Sequence, residues 1–499
     1  MSTLQRLREW LTTLLILLLP FHALFVTFGT KVLFGQDLPP SVILALWKDV
    51  LLAVILGLSI LEILGASKKF AVDLLDILVG ILILLAVVLG FVLHEARGPF
   101  LLGFRYDFLP LVAFLLLRRA SWSDAFGARL MKGVPIVAGV IALIALVSFF
   151  LPLSVFRALG YSSLHSLYVP NGPLAPYQQI GESMIRRVQG TMSGPNQLGI
   201  WLLIPLGMLL SSFVVKRGDE KGDSCSRYLR PPDPNRRIVR AGCIPCLLCL
   251  LLFLALLLTF SRAAWLAAAV MTAVAFSRRF SAKKFKRFFV WGGLSVVGVF
   301  VIAAVIFPQV VFRLSSTRGH LERPIEAIAL MAHHPLGMGL GTAGPASNRF
   351  NEPCVFLRPQ DDPSWAKSQP SLCVFVGPKQ VQPTDHVCSC PFLPENWYLQ
   401  IGVELGVVGM VLFVVLVVMV LRRLGMNNEQ WTMDNGSRNY PLSIIHYPFI
   451  FAVFLSFLGI SIAALFLHAW EDAAVAYAGW ILVAAALPVF GCHKNAEAR

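Results

Sequence analysis

Charged residues are scarce in this chain of 499 residues. Asp, Glu, Lys and Arg make up 14% of it, whereas 57% of the residues are hydrophobic and the mean hydropathy is +0.73. An average soluble domain carries roughly 25% charged residues, so this composition excludes a string of ordinary soluble domains. Many apolar runs reach the ~20 residues that a helix needs to cross the hydrocarbon core of a bilayer. The sequence therefore predicts an all-α polytopic membrane protein.

Motifs for nucleotide, metal and nucleic-acid binding are also missing. The glycine-rich stretch GMGLGTAG, residues 337–344, lacks the Lys-Ser/Thr ending of a P-loop. The net charge of +15 is not accompanied by a basic patch with aromatic or groove-reading elements on a soluble module. We interpret Cys243, Cys246 and Cys249, three residues apart, as packing residues rather than metal ligands. We therefore expect no cofactor, no metal and no nucleic-acid partner.

Twelve apolar runs are candidate spans, although the fourth and the eighth are short. The predicted spans are residues 10–30, 42–65, 71–93, 102–117, 133–152, 197–215, 242–259, 262–276, 289–308, 396–420, 444–467 and 473–491. The first run lacks a small-residue cleavage site and is followed by further spans, so we interpret it as a span rather than a signal peptide. The basic loops precede span one and follow spans two, four, six, eight and ten, all on one side. The positive-inside rule places that side, and both termini, in the cytoplasm.

This topology divides the chain into three parts. Residues 1–308 carry spans one to nine, residues 309–395 form a large polar loop outside the membrane, and residues 396–499 carry spans ten to twelve. The outer loop holds four cysteines, namely Cys354, Cys373, Cys388 and Cys390. Disulfides form in such a compartment, but four cysteines allow three pairings and their spacing selects none of them.

Arginines occur at the outer ends of the spans, where the positive-inside rule disfavours them. Arg187 precedes span six, Arg262 lies in the short turn between spans seven and eight, and Arg318 and Arg323 follow span nine. A guanidinium group pairs bidentately with phosphate oxygens, so these arginines predict an anionic, diphosphate-bearing ligand at the outer face. The alternative is pairing with nearby acids, together with snorkelling to the interface.

Four short segments stand out by their order and spacing: RVQGTMSGPNQLG (187–199), LTFSRAAWLA (258–267), HHPLGMGLGT (333–342) and ENWYLQIGVELGVVG (395–409). With the twelve spans and the outer loop, they resemble the O-antigen ligase and O-antigen polymerase superfamily of bacterial inner-membrane proteins. The resemblance covers roughly residues 180–420, and the remainder of the chain by hydropathy only. It implies metal-independent transfer of a glycan from a polyprenyl-diphosphate donor to a glycan, lipid or protein acceptor at the outer face of the bacterial cytoplasmic membrane.

The resemblance also implies roles for individual residues. Arg187 and Arg262 match arginines that hold the diphosphate in the family. His320, between Arg318 and Arg323, stands where the family often has an arginine. The family often has His-Asn where this chain has Glu-Asn at residues 395–396. These departures leave the base and the acceptor class open.

Glu395 is our first candidate for the base that takes the proton of the acceptor hydroxyl, as carboxylates do in glycosidases. The alternative is an acid that stabilises the N-terminus of span ten through the helix dipole. His386 is the second candidate, because imidazole titrates near neutral pH. Asn196, Asn396 and Tyr398 are candidate sugar contacts, with helix capping as the alternative for either Asn.

A transporter or flippase for a lipid-linked or anionic solute is a hypothesis of a different class. It would place ionisable groups within the spans, reachable from both faces, whereas these spans hold few acids and the arginines cluster outside. Ligase and polymerase differ only in the acceptor, and the sequence does not distinguish them.

The predicted topology is tested by labelling engineered cysteines in intact cells, with the reactive native cysteines replaced. A membrane-impermeant reagent should modify cysteines at positions 172 and 360 but not at 222 or 283. Modification of position 222 from outside would overturn the orientation.

Overall fold

The computed structural model describes residues 2–65, 72–93, 96–165, 174–180, 185–214, 243–280, 314–357, 359–370, 372–433 and 446–489. They are mostly helical. The helices are α1 (Thr3–Leu18), α2 (His22–Phe34), α3 (Val42–Ala45), α4 (Trp47–Gly65), α5 (Leu74–Val92), α6 (Arg97–Asp107), α7 (Leu109–Leu117), α8 (Asp124–Ser148), α9 (Leu153–Ala158), α10 (Pro195–Trp201), α11 (Leu203–Val214), α12 (Cys243–Leu258), α13 (Arg262–Arg279), α14 (Leu314–His333), α15 (Gly344–Ser347), α16 (Trp397–Met433), α17 (His446–Ala463) and α18 (Ala473–Ala486). The strands are β1 (Cys354–Leu357), β2 (Cys373–Val376) and β3 (Lys379–Gln382).

Six helical stretches in the described part of the chain are long and apolar enough to cross a membrane. They are Thr3–Phe34, Val42–Gly65, Leu74–Val92, Asp124–Ser148, Pro195–Val214 and Trp397–Gly425. The pair α6 and α7, bent by 45°, is a seventh if it counts as one span. These stretches coincide with predicted spans one to six and ten, and they confirm a mostly helical protein with helices suited to a membrane.

The count of twelve spans stays a prediction. Predicted spans seven, eleven and twelve fall on shorter apolar helices, namely Leu247–Leu258, Pro448–Ala463 and Ala473–Ala486. Predicted span eight falls on α13, which has 18 residues. Predicted span nine, residues 289–308, lies outside the described residues.

Ion pairs join the helices at one end of the bundle. Arg118, which is 2% exposed, contacts Asp73 at 2.8 Å and Asp76 at 2.7 Å, and the buried Arg8 contacts Glu62 at 2.9 Å. Removing one partner of a buried ion pair is costly, so these contacts hold the chain segments that link the helices. Arg8 also donates to the main-chain carbonyl of Ser121, so the basic residues before span one and after span four lie at the same end of the bundle.

The predicted outer loop contains structure of its own, including the small sheet that the predicted all-α class lacks. β2 pairs in parallel with β1 and antiparallel with β3, in the order β1-β2-β3. Disulfides join Cys354 to Cys390 and Cys373 to Cys388, which selects one of the three pairings that the sequence allows. The core beneath the sheet is small, so the cross-links stabilise it by restricting its unfolded state. That core consists of Val355, Ala366, Leu372 and Val374.

Helix α16 is interrupted at Gly406, whose φ is 72° and whose ψ is −179°. A break in a helix frees backbone groups that must find other partners. The carbonyl of Val403 accepts from the N–H of Met338 at 2.8 Å, and the N–H of Val407 donates to the carbonyl of Pro335 at 3.2 Å. The third and fourth sequence motifs are therefore joined through their main chains.

Glycine is required on both sides of this contact. Gly337 has a φ of +92°, and a Cβ there would lie 2.3 Å from the carbonyl oxygen of Glu404. A Cβ at Gly406 would lie 2.2 Å from the carbonyl oxygen of Pro335. Gly337 and Gly406 therefore allow the close main-chain packing of these two motifs.

Replacing Gly406 by Ala should destabilise the protein, because a Cβ has no room and a φ of 72° is unfavourable for Ala. We expect a loss of at least about 1 kcal/mol, measured by thermal unfolding of the purified protein in detergent. Gly425→Ala on the same helix is the control, since among the described residues its Cβ would meet only Phe454, at 3.8 Å. Equal unfolding temperatures for the two variants would show that the Gly406 contact is not tight.

Candidate functional site

Arg187 lies just before α10 and is 8% exposed. Its Nε donates to the carbonyl of Thr259 at 2.8 Å, and its Nη2 donates to Oδ1 of Asn196 at 2.7 Å. The main-chain N–H of Val188 donates to the carbonyl of Leu258 at 3.0 Å. The first and second sequence motifs therefore form one unit, in which Asn196 orients an arginine.

Arg262 is the first residue of α13, and its side chain is exposed. Just before it, the hydroxyl of Ser261 is buried without a hydrogen-bond partner in the described part of the chain. A Cβ on Gly199 would lie 3.1 Å from Cβ of Ser261 and 3.0 Å from Cβ of Ala264, so α10 packs closely on the start of α13. The structure thus brings Arg187 and the segment that carries Arg262 to one junction, where α10 and α13 both begin.

A polar cluster that the sequence does not single out centres on Asp49 in α4. Asp49 accepts a hydrogen bond from Arg105 and another from the Tyr477 hydroxyl at 2.9 Å, and its carboxylate lies 3.4 Å from Nζ of Lys48. Each residue by itself looks like an isolated charge or hydroxyl in an apolar run. These residues share one feature in the sequence: they lie near the predicted outer ends of spans two, four and twelve. That shared position is the one signal from which their proximity could have been predicted.

The turn between α17 and α18 brings further acids to the same end of the bundle. Asp472 caps α18 by accepting from the N–H of Ala474 at 2.9 Å, and its other oxygen accepts from the hydroxyl of Ser193, in the first motif, at 3.3 Å. Its neighbour Glu471 accepts from Nε2 of Gln400 at 2.6 Å. Burial raises the pKa of Asp472, and burial together with the Asp107 carboxyl raises that of Glu471 well above its usual range.

Three buried carboxyl groups lie together inside the bundle. Glu404 is 0% exposed, Asp107 is 4% exposed and Glu471 is 6% exposed, and the carboxyl of Asp107 lies beside that of Glu404. Oε1 of Glu404 accepts from the N–H of Gly341 at 2.8 Å, which ties the cluster to the glycine-rich segment. The sequence shows these acids only as single residues in separate runs.

Glu395 lies directly before α16, in the left-handed region with a φ of 53°. Its Oε1 lies 2.8 Å from Nη1 of Arg323 in α14, so the structure brings a candidate base and a candidate diphosphate ligand together. A residue other than glycine seldom adopts this backbone conformation unless its surroundings impose it. Arg318 and His320 lie in the first two turns of the same helix as Arg323.

Asn396 and Tyr398 anchor the start of α16. Oδ1 of Asn396 accepts from the N–H of Leu399 at 3.1 Å, which is the capping role, and its Nδ2 donates to the carbonyl of Leu465 at 2.8 Å. The Tyr398 hydroxyl donates to the carbonyl of Ser461 at 2.9 Å. Their predicted sugar contacts would come in addition to these structural roles.

His386 lies in the disulfide-bonded part of the loop, with its side chain 49% exposed. Nε2 lies 2.8 Å from Glu352 and Nδ1 lies 3.0 Å from Asp385, and these two hydrogen bonds raise the pKa of His386. An imidazole stabilised in its protonated form is a poor base at neutral pH. Glu352, His386 and Cys388 lie close enough together to hold a metal ion, but the sulfur of Cys388 is bonded to Cys373 and is no thiolate ligand.

No protein-family model matches this chain, and no curated protein matches it. The assignment of a function therefore depends on the four motifs and on the geometry of the residues that they bring together.

The His386 contacts predict a pH-dependent contribution to stability. Because the folded pKa is raised above the ordinary value of about 6.5, the stabilisation is complete below that pH and is lost as the pH rises through the folded pKa. Thermal unfolding of the wild type and of His386→Gln, measured from acid to alkaline pH, should show a difference that shrinks as the pH rises. His334→Gln, at an exposed histidine, is the control. A difference that is constant with pH would contradict the assignment.

Proposed function

We propose that this protein is a metal-independent glycosyltransferase that moves a glycan from a polyprenyl-diphosphate donor to an acceptor sugar, as an O-antigen ligase or polymerase does. It would act at the outer face of the bacterial cytoplasmic membrane, with twelve spans and both termini in the cytoplasm. The observation that carries the proposal is the junction where α10 and α13 begin. There the buried Arg187 is joined to the turn that precedes Arg262.

The leaving group determines what the site must do. Transfer forms a bond between the acceptor oxygen and C1 of the donor sugar, and it breaks the bond between C1 and the diphosphate oxygen. Negative charge accumulates on that oxygen, and guanidinium groups already held in position stabilise it. The Thr259 carbonyl and the Asn196 amide are neutral acceptors, so they orient Arg187 without cancelling its charge.

In the proposed reaction Glu395 takes the proton of the acceptor hydroxyl. Its Oε1 contacts Arg323, and its backbone is held between the loop and the start of α16. In the proposed reaction the hydroxyl proton passes to the Glu395 carboxylate while the hydroxyl oxygen attacks C1. Arg323 then acts as a positioning residue that keeps the carboxylate at the base of the loop.

A transporter or flippase is the second candidate, and one observation favours it. Asp107 in α6 and Glu404 in α16 lie buried beside Glu471 of the turn between α17 and α18, whereas the sequence had suggested few acids within the spans. Buried ionisable groups of this kind are typical of proton-coupled transport. The two candidates differ in whether a new glycosidic bond is made.

The deciding experiment uses the purified protein in lipid vesicles with an undecaprenyl-diphosphate-linked glycan, with and without candidate acceptors. Chain growth without an added acceptor identifies a polymerase. A single transfer to a lipid, glycan or protein acceptor identifies a ligase. Movement of the substrate across the membrane without a new glycosidic bond would refute the enzyme and support the transporter.

In this assay Arg187→Ala and Arg262→Ala should each lower transfer by about a hundredfold or more, because each removes a donor that stabilises the leaving diphosphate. Lys at either position should restore activity only in part, since an ammonium group lacks the bidentate fork. Arg349→Ala, at an exposed arginine of the outer loop, is the matched control. Full activity of either variant, at normal membrane levels, would remove that arginine from the site.

Glu395→Gln should lower turnover by about a hundredfold while donor binding changes little, if the carboxylate accepts the proton. A purely structural Glu395 would instead cost about 1 kcal/mol of stability at the start of α16. The control is His386→Ala, which should keep most of the activity. An active Glu395→Gln beside an inactive His386→Ala would transfer the role of base to His386.

A further inference from the structure

Helix α14 carries a row of exposed apolar side chains, although it belongs to the predicted outer loop. At about 100° per residue, Leu321, Ile325 and Ile328 fall within about 60° of arc around the helix axis. Their exposed fractions are 63%, 67% and 56%. We call these three residues the apolar stripe.

A second edge of α14 fixes the orientation of the helix. Ala327 is 0% exposed and Met331 is 6% exposed, and both pack with Val403 of α16. The approach is close, because a Cβ on Gly402 would lie 2.6 Å from the sulfur of Met331. The apolar stripe is therefore not the face that packs on the protein.

A third edge is polar. Glu322, Glu326 and His333 are exposed and lie about 100° to 140° around the axis from Leu321. The helix thus has one edge packed on α16, one apolar exposed edge and one polar exposed edge. A helix with such a division of its surface is typical of the boundary between membrane and water, where it lies in the plane of the interface.

The apolar stripe belongs to a larger apolar surface that includes a candidate span. Leu336 (63% exposed) and Met338 (39% exposed) follow α14 in the segment that packs at the break in α16. Beyond that break α16 exposes Val407, Val408 and Val411, at 41%, 58% and 50%. These valines lie within Trp397–Gly425, a stretch long and apolar enough to cross a membrane. If the lipid acyl chains of a bilayer cover these valines, they also lie next to the C-terminal end of α14.

We propose that the apolar stripe is seated in the hydrocarbon boundary of the bilayer, with lipid acyl chains as its occupant and the polar edge of α14 facing water. Three large apolar side chains on one edge are unfavourable in water, and their burial in lipid removes that penalty. Because Arg323 lies on the same helix, the Arg323–Glu395 ion pair is then held near the lipid headgroups. The inference depends on the insertion of α16 in the membrane and not on the proposed transfer reaction.

The test places a ketone-reactive nitroxide on genetically encoded p-acetylphenylalanine, which leaves the native cysteines intact. The full-length protein is labelled at position 325 or 328 in the apolar stripe, or at 322 or 326 on the polar side as matched controls. It is reconstituted in bilayer nanodiscs, and power-saturation electron paramagnetic resonance compares access by oxygen with access by a water-soluble nickel chelate. We expect oxygen access to exceed nickel access several-fold at 325 and 328, and the reverse at 322 and 326.

Two outcomes would overturn the proposal. Nickel access at 325 and 328 equal to that at 322 and 326 would place the apolar stripe in water. Low access by both reagents at 325 and 328, with dipolar broadening between labels, would show that a second copy of the chain covers the apolar stripe. Because no readout involves glycan transfer, failure of the proposed function would leave this result unaffected.

Discussion

A break in a membrane helix is the constraint on which much of this architecture depends. Lipid offers no partners to free backbone carbonyl and amide groups, so a break is tolerated only where protein supplies them. At Gly406 the supplier is the segment around Pro335 and Met338, which donates to and accepts from α16 on both sides of the break. These hydrogen bonds fix the position of that segment, which follows α14. A further hydrogen bond, from the N–H of Gly341 to the side chain of Glu404, holds the same segment.

The four sequence motifs acquire a common explanation from these contacts. The third and fourth motifs interlock at the Gly406 break, and the first and second interlock through the side chain of Arg187 and the main chain of Val188. Each motif therefore contains residues that satisfy the polar groups of its partner. The candidate functional residues belong to these joined segments. Arg187 lies in the first pair of motifs, and Glu395, which pairs with Arg323, lies at the start of the fourth motif.

Much of the membrane architecture could be predicted from the sequence, because a span must be apolar along its whole length and that property is local. The stretches Val42–Gly65 and Leu74–Val92 match their predicted ranges within a few residues. The bend between α6 and α7 also has a cause that is visible in the sequence. Pro110 is the second residue of α7, and proline interrupts a helix that would otherwise continue. The structure of the outer loop was far less predictable, because strands of four residues carry almost no periodic pattern.

The candidate site, too, was predictable in part from the sequence and in part only from the structure. The sequence by itself determined the membrane class, the candidate spans, and which arginines and acids stand where a membrane protein seldom keeps them. Only the tertiary structure decided that Glu395 pairs with Arg323, that Asn196 holds Arg187, and that Asp107, Glu404 and Glu471 meet. The reason is physical: hydropathy is set by each residue and its neighbours along the chain, whereas a hydrogen bond or a shared buried charge depends on which helices pack together. No single run of residues contains that information.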